Sequence, residues 1–269
     1  MDKTIEGANL RTVGRPDLRR RSLVLAGAGT LATPVLGSAL VGCATPTSPA
    51  GSAVQFEQPR VRVGDRWLYH EINRYNGLTM ADVEITVSEA SPLSCSVRRT
   101  PGDSTAGEIA RPDAVLVERY AEPWAVDVEP TYDLVMDFAE PMPILPDALR
   151  IGESQTRKTS YVVQGYSGSY RWTQRLKAVG VDRIATPAGN FDCLKVQRTI
   201  WFDYPDVFRY GSSRVDSVWY APEVNRWVRR EWTGDYQHEN SLGKRGTRRR
   251  EDWVRWELVS YTPAAGPAG

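Results

Sequence analysis

The strongest constraint on the fold is a two-residue alternation of apolar and polar side chains that recurs along the chain. Val83, Ile85 and Val87 alternate with Asp82, Glu84 and Thr86, which is the signature of a half-buried antiparallel strand. Tyr170, Trp172, Gln174 and Leu176 alternate in the same way with Arg171, Thr173, Arg175 and Lys177. Val254, Trp256 and Leu258 share one face of a last strand. Turn signals separate such stretches: Asn76-Gly77, Pro101-Gly102-Asp103, Thr186-Pro187-Ala188-Gly189 and Pro222 to Asn225. No stretch shows sustained helical periodicity. The pattern predicts an all-β chain, a large antiparallel barrel or sandwich of about 10–12 strands. Val61-Arg62-Val63-Gly64-Asp65 is echoed by Leu149-Arg150-Ile151-Gly152-Glu153, a spacing compatible with two similar halves.

One apolar stretch resists this reading. Between Glu129 and Asp147, Tyr132, Leu134, Val135, Met136 and Phe138 are followed by Pro141, Pro143 and Pro146. Proline at that density argues against a central strand, so the segment reads as a packed crossover, or as a flap over a cavity.

The amino-terminal segment has a separate purpose. Arg19, Arg20 and Arg21 open onto an uncharged run from Ser22 to Gly42 that ends in Leu40-Val41-Gly42-Cys43. A basic cluster, an apolar run and small residues before a cleavage point make an export signal. Arg20-Arg21-Ser22-Leu23-Val24 resembles a twin-arginine signal, and Leu40 to Cys43 resembles a lipobox, which implies lipidation of Cys43. Pro34 and the glycines make the run a poor spanning helix. The expected organisation is a signal over 1–42, a flexible tether over 43–60, one β domain over 61–262 and a disordered tail over 263–269. Ala44 is not the aspartate that holds lipoproteins at the inner membrane of enteric bacteria, so the resemblance favours the periplasmic side of the outer membrane.

Charge and reactive residues add mostly exclusions. The 34 basic and 33 acidic residues nearly cancel, so no field of one sign argues for nucleic acid. Beyond Cys43 only Cys95 and Cys193 remain. An oxidising compartment invites a disulfide between them, but Cys193 is out of phase with Leu194 and Val196 and the strand pattern leans against it. His70 and His238 have no metal-ligand spacing, and no metal or cofactor is implied. Paired carboxylates, Asp133 with Asp137 or Asp203 with Asp206, would be enough for glycoside hydrolysis, but loop acids are common. The basic loop Lys244 to Arg250 reads as solvated or as a contact for anionic lipid or envelope polymer. Trp67, Tyr69, Trp172, Trp219 and Trp227 form an aromatic set on strands. Trp67, Tyr69, Trp172 and Trp219 are the candidate ligand-binding residues if the interior holds an apolar ligand; otherwise they fill a wide core.

Thr186-Pro187-Ala188-Gly189-Asn190-Phe191 to Lys195-Val196, then Val218-Trp219-Tyr220-Ala221-Pro222-Glu223-Val224 and Val228-Arg229-Arg230-Glu231, resemble a pattern in an uncharacterised domain family of exported bacterial lipoproteins. Asn225 stands where that pattern has glycine, and asparagine tolerates the left-handed conformation. The resemblance implies antiparallel strands and an envelope location, without a reaction. The expected function is a membrane-anchored, non-enzymatic envelope lipoprotein that binds a hydrophobic or envelope ligand or supports an assembly. The competing expectation is a hydrolase of an envelope polymer. Partners are then the membrane, through the lipid, and an apolar ligand or envelope protein. The export route is checked by Arg20→Lys with Arg21→Lys: precursor should accumulate in the cytoplasm, and normal export would assign the general secretory route.

Overall fold

The computed structural model describes residues 57–102, 115–131, 134–146, 151–239 and 245–265. The leader with Arg20 and Arg21, the lipidation candidate Cys43, Asp133, Lys244 and residues 266–269 lie outside these. The described residues form twelve strands: β1 (Arg66–Asn73), β2 (Thr79–Ala90), β3 (Leu93–Pro101), β4 (Val115–Glu122), β5 (Ala125–Thr131) and β6 (Leu134–Pro143), then β7 (Ser154–Val163), β8 (Tyr170–Thr186), β9 (Gly189–Phe202), β10 (Arg209–Ala221), β11 (Arg226–Glu239) and β12 (Arg245–Thr262). Each strand pairs with its sequence neighbours, and β12 returns to β1 in register from Arg66↔Thr262 to Asn73↔Val254. The result is a closed antiparallel barrel, not a sandwich. Closure leaves no unpaired first or last strand.

The alternation fixes which side chains enter the lumen. Val83, Ile85 and Val87 are buried, as are Trp172, Gln174 and Leu176, while their alternate neighbours face outward. One row of the outer wall is mostly polar: Lys195, Trp219, Arg229, Glu257, His70 and Asp82 follow one another across β9, β10, β11, β12, β1 and β2.

The proline-rich segment is stranded, contrary to the reading from its prolines. It forms β5 and β6, placed where a missing N–H does least harm. The β5–β6 ladder breaks between Val128↔Asp137 and Val126↔Met142, and Pro141 falls inside the break. β6 pairs with β7 only over Met136–Phe138, so Pro141 and Pro143 lie beyond that ladder.

The pentapeptide echo marks equivalent turns. Gly64 and Gly152 have φ of 94° and 91°, which glycine adopts without penalty, and each precedes the first strand of a six-strand half. Their amides donate to equivalent places, the Val87 carbonyl on β2 and the Ala178 carbonyl on β8. The two non-glycine residues with positive φ, Trp124 (65°) and Asn225 (55°), occupy the β4–β5 and β10–β11 turns, again equivalent positions. Trp124 Nε1 donates to the Asn225 carbonyl (2.9 Å), tying the two turns together under the lumen.

A twelve-strand wall encloses more space than aliphatic side chains fill. The largest fully buried side chains here are Trp67, Trp124, Trp172 and Trp227 with Arg198 and Arg226. At the waist, Arg198 Nη1 donates to Asp216 Oδ2 (2.9 Å), Arg230 Nη2 to the same oxygen (3.0 Å) and to Glu129 Oε1 (2.8 Å). β11 and β5 stand on opposite sides of the barrel, so Arg230–Glu129 bridges the lumen. Burial by itself would raise the Glu129 pKa, but Arg230 and Arg198 outweigh it and hold it at about 2. At the end where the chain enters, the Arg226 guanidinium lies 4.1 Å from the Trp227 ring, 4.4 Å from Trp124 and 5.3 Å from Trp67, and donates to Glu118 Oε2 (3.0 Å).

Cys95 and Cys193 are both free and buried. Burial pushes each thiol up to about 12, far from the thiolate that exchange chemistry needs. Of the expected tether, residues 57–60 lie against the barrel: the Glu57 carbonyl accepts from Tyr220 Oη (3.2 Å), and the Arg60 amide donates to Asn225 Oδ1 (3.0 Å).

Breaking the waist has a calculable cost. Asp216→Asn should lower the unfolding free energy by about 3–5 kcal/mol, because two buried guanidinium groups lose their shared anion; urea denaturation measures this. Glu129 has a depressed folded pKa, so its contribution is complete above the ordinary carboxylate value and is lost as pH falls through the folded value. Glu129→Gln should therefore flatten the acid limb of stability between about pH 4.5 and 2.

Candidate functional site

The four aromatic residues read as ligand-binding do not converge. Trp67 and Tyr69 meet at the entry end, where Trp67 Nε1 donates to the Val224 carbonyl and Tyr69 Oη to the Trp227 carbonyl, both at 2.8 Å. Trp172 lies towards the opposite end among Phe138, Phe202 and Tyr161, with ring centroids 5.1, 5.4 and 5.9 Å away. Trp219 is on the outer wall, its Nε1 donating to Asp182 Oδ2 (2.9 Å) and its ring 4.9 Å from Lys195 Nζ. Trp67, Tyr69 and Trp172 thus have packed neighbours and, for two of them, backbone partners that hold the ring in place.

A concave site does exist on the outside. A groove of about 280 Å³ runs across β9, β10, β11 and β12. Two cross-strand rows build it: Trp201, Ser213, Asp235 and Arg250, and beside them Thr199, Val215, Thr233 and Trp253. Trp201 is 45% exposed, an outward aromatic on a strand whose other outward residues are polar. Trp253 is held by Nε1 donating to Glu231 Oε1 (2.9 Å) and by the Arg74 guanidinium 5.5 Å from its ring. Ser213 Oγ donates to Asp235 Oδ1 (3.0 Å), and Arg248 pairs with the same carboxylate. Arg250 forms no ion pair among the described residues. Gly234 lies in the groove floor at a register shift in β11; a Cβ there would meet Ser213 O at 2.9 Å, so the close strand approach requires glycine.

Chemically the groove offers a flat aromatic face, hydroxyl groups and a guanidinium. That is equipment for holding a partly polar ligand against the wall. Its lining carries one carboxylate, Asp235, which Arg248 and Ser213 occupy. The histidines are elsewhere. His70 Nδ1 lies 2.7 Å from Asp82 Oδ1 on the outer wall, and His238 stacks on Phe208 with centroids 6.3 Å apart. Asp203 pairs with Arg171 (2.7 Å), and Asp206 Oδ1 accepts from the Phe208 amide (2.9 Å). Among the described residues no group of three or more His, Cys, Asp or Glu could hold a metal.

The residues missed from sequence share one signal. Arg198 is in phase with Leu194, Val196 and Ile200, and Arg230 with Val228 and Trp232: charges in the apolar phase are the buried ion pairs. Trp201 and Trp253 are aromatics in the polar phase, hence outside.

No protein-family model and no curated protein sequence matches the chain. Solved structures with some likeness include a candidate lipoprotein from Parabacteroides distasonis, 14% identical with a TM-score of 0.49, covering 77% of this chain and 100% of that one. A candidate exported protein with a YmcC-like fold from Bacteroides fragilis is 16% identical with a TM-score of 0.43, covering 77% and 99%. The hypothetical lipoprotein YmcC from Escherichia coli is 9% identical with a TM-score of 0.39, covering 74% and 85%.

The placement of the aromatics separates buried rings from outward ones. Trp67→Ala and Trp172→Ala should each cost about 3–5 kcal/mol, whereas Trp201→Ala should change stability by less than about 0.5 kcal/mol. Chemical denaturation measures all three. Uptake of a hydrophobic dye by the folded wild-type barrel would instead show that the lumen opens.

Proposed function

We propose that this chain is a lipid-anchored lipoprotein of the bacterial cell envelope, held by Cys43, and that its barrel is a non-enzymatic binding body that works from the outer wall. The anchoring half rests on the leader, Arg19 to Cys43, with its twin-arginine-like start and lipobox-like end. The working-surface half is supported by one observation: the lumen is crossed by the Arg230–Glu129 bond and packed with tryptophan and arginine, leaving the groove beside Trp201 as the recognition surface. The ligand is then an envelope component presented to the outside of the barrel, or an assembly partner docked there. Ala44 favours outer-membrane placement facing the periplasm.

A hydrolase is the second reading, and the His70–Asp82 pair is what favours it. Its carboxylate–imidazole contact resembles two-thirds of a nucleophile-activating relay. Among the described hydrogen bonds, however, none joins His70 to a hydroxyl, and Glu257 is its cross-strand neighbour on the other side. His70→Ala should leave any envelope phenotype of the wild-type gene intact.

Anchoring is tested by Cys43→Ser with fractionation and incorporation of labelled fatty acid. The variant should lose the label and leave the membrane fraction as a soluble or unprocessed form. Normal processing with retention in the membrane would overturn the lipoprotein reading.

A further inference from the structure

The barrel has two unlike ends. The chain enters at the end closed by the tied turns of Trp124 and Asn225, and Cys43 precedes that end. Six turns meet at the opposite rim, β1–β2, β3–β4, β5–β6, β7–β8, β9–β10 and β11–β12, and β1–β2, β7–β8 and β9–β10 lie wholly among the described residues. Apolar side chains point out of each of these three described turns: Leu78 is 51% exposed, Tyr166 50%, Val207 80% and Phe208 48%. Exposed apolar tips on three separate turns at one end are not explained by the core they fail to join.

The turn carrying Val207 and Phe208 is built rather than loose. The Phe208 amide donates to Asp206 Oδ1 (2.9 Å), the Arg209 amide to the Asp206 carbonyl and the Asp203 amide to the Arg171 carbonyl, both at 3.0 Å. Arg209 is clamped between Tyr204 and Tyr236, 4.7 and 4.2 Å from the ring centres, and Phe208 stacks on His238. The fold holds two apolar side chains into solvent in a fixed geometry.

Among the described residues beside these turns, two exposed arginines stand without an ion pair. Asp203 is paired with Arg171 and Asp235 with Arg248, Asp206 is turned to its own turn's amide, and Asp252 stands exposed. Against these, Arg248, Arg249 and Arg250 lie exposed on β12, and Arg249 and Arg250 have no ion pair among the described residues. Apolar and aromatic tips flanked by arginines that have no ion pair among the described residues match the chemistry of a membrane interface. There apolar groups sink about 5–10 Å into the headgroup boundary, tyrosine sits at headgroup level, and each basic residue near an anionic surface adds about 1 kcal/mol.

We propose that this rim docks on an anionic lipid bilayer, as a second membrane contact that goes beyond the Cys43 anchor and does not need it. Val207, Phe208, Leu78 and Tyr166 enter the interface, and Arg249 and Arg250 pair with lipid phosphates. Residues 44–56 reach about 45 Å at full extension. Strands of this length tilted as in barrels rise about 35 Å, so the rim can meet the membrane that holds the anchor.

The test uses residues 44–269, which keep the closed barrel and lack both the lipid and the apolar leader. Co-sedimentation is measured with vesicles of phosphatidylcholine alone and with vesicles containing about one-third phosphatidylglycerol. The expected result is binding to the anionic vesicles only, weakened at least about tenfold by Val207→Asp or by Arg249→Ala with Arg250→Ala, and weakened by salt. Leu78→Asp, in a different turn, should act in the same direction, and near-ultraviolet circular dichroism checks that each variant keeps its core. Binding to neither vesicle, or binding indifferent to all three changes, would overturn the proposal. Because the protein used has no lipid, that outcome is separate from failure of the Cys43 anchor.

Discussion

A wall of twelve strands must fill the space it encloses, and the rest of this structure depends on how that is done. The filling is charged as well as apolar. Two guanidinium groups and two carboxylates, Arg198, Arg230, Asp216 and Glu129, form a neutral layer at the waist. A third arginine, Arg226, sits in a box of tryptophan rings at the entry end. Buried ions are costly to desolvate and return that cost only with near-complete pairing, so Arg198 and Arg230, bonded to Gln174, Asp216 and Glu129, fix the positions of several strands. The Arg230–Glu129 bond does so across the lumen, joining walls that no backbone ladder connects.

The same demand explains the ends. The β4–β5 and β10–β11 turns place non-glycine residues at positive φ, a conformation that costs energy for L side chains. Packing repays it: the Trp124 ring lies against Tyr120, Trp67 and Trp227 at centroid separations of 5.2–6.0 Å, and the Asn225 carbonyl accepts its indole N–H. Equivalent turns at Gly64 and Gly152 give the two six-strand halves the same entry. The halves join unequally: β12 and β1 pair along the whole of β1, whereas β6 and β7 share a short ladder bordered by Pro141 and Pro143.

With the lumen filled, the recognition proposed for this chain falls to the outside. The polar wall carries Trp201, Trp219 and Trp253, and the rim carries Leu78, Tyr166, Val207 and Phe208. None of these contributes a buried side chain to the core, although Trp219 packs partly against it. The exposure of Trp201 and of the rim side chains is therefore the feature that architecture by itself does not account for. The interior set of Trp67, Tyr69 and Trp172, chosen from sequence for its aromatic weight, is accounted for by neighbours at packing distance.

Period-two alternation and turn residues determined the strands, their antiparallel sense and even the left-handed Asn225, because these are local properties of backbone sterics and side-chain direction. The echo of Val61–Asp65 at Leu149–Glu153 was legible for the same reason. Closure into one barrel was not, since pairing of β1 with β12 joins segments almost two hundred residues apart and alternation alone is equally satisfied by a sandwich. Nor was the strand character of Leu134–Pro143, where tertiary context put prolines at breaks in the ladder. Phase distinguishes an arginine destined for the lumen from one on the wall, but only the closed barrel shows that Arg230 meets Glu129. The groove depends in the same way on four strands brought side by side, and no short stretch of sequence contains that adjacency.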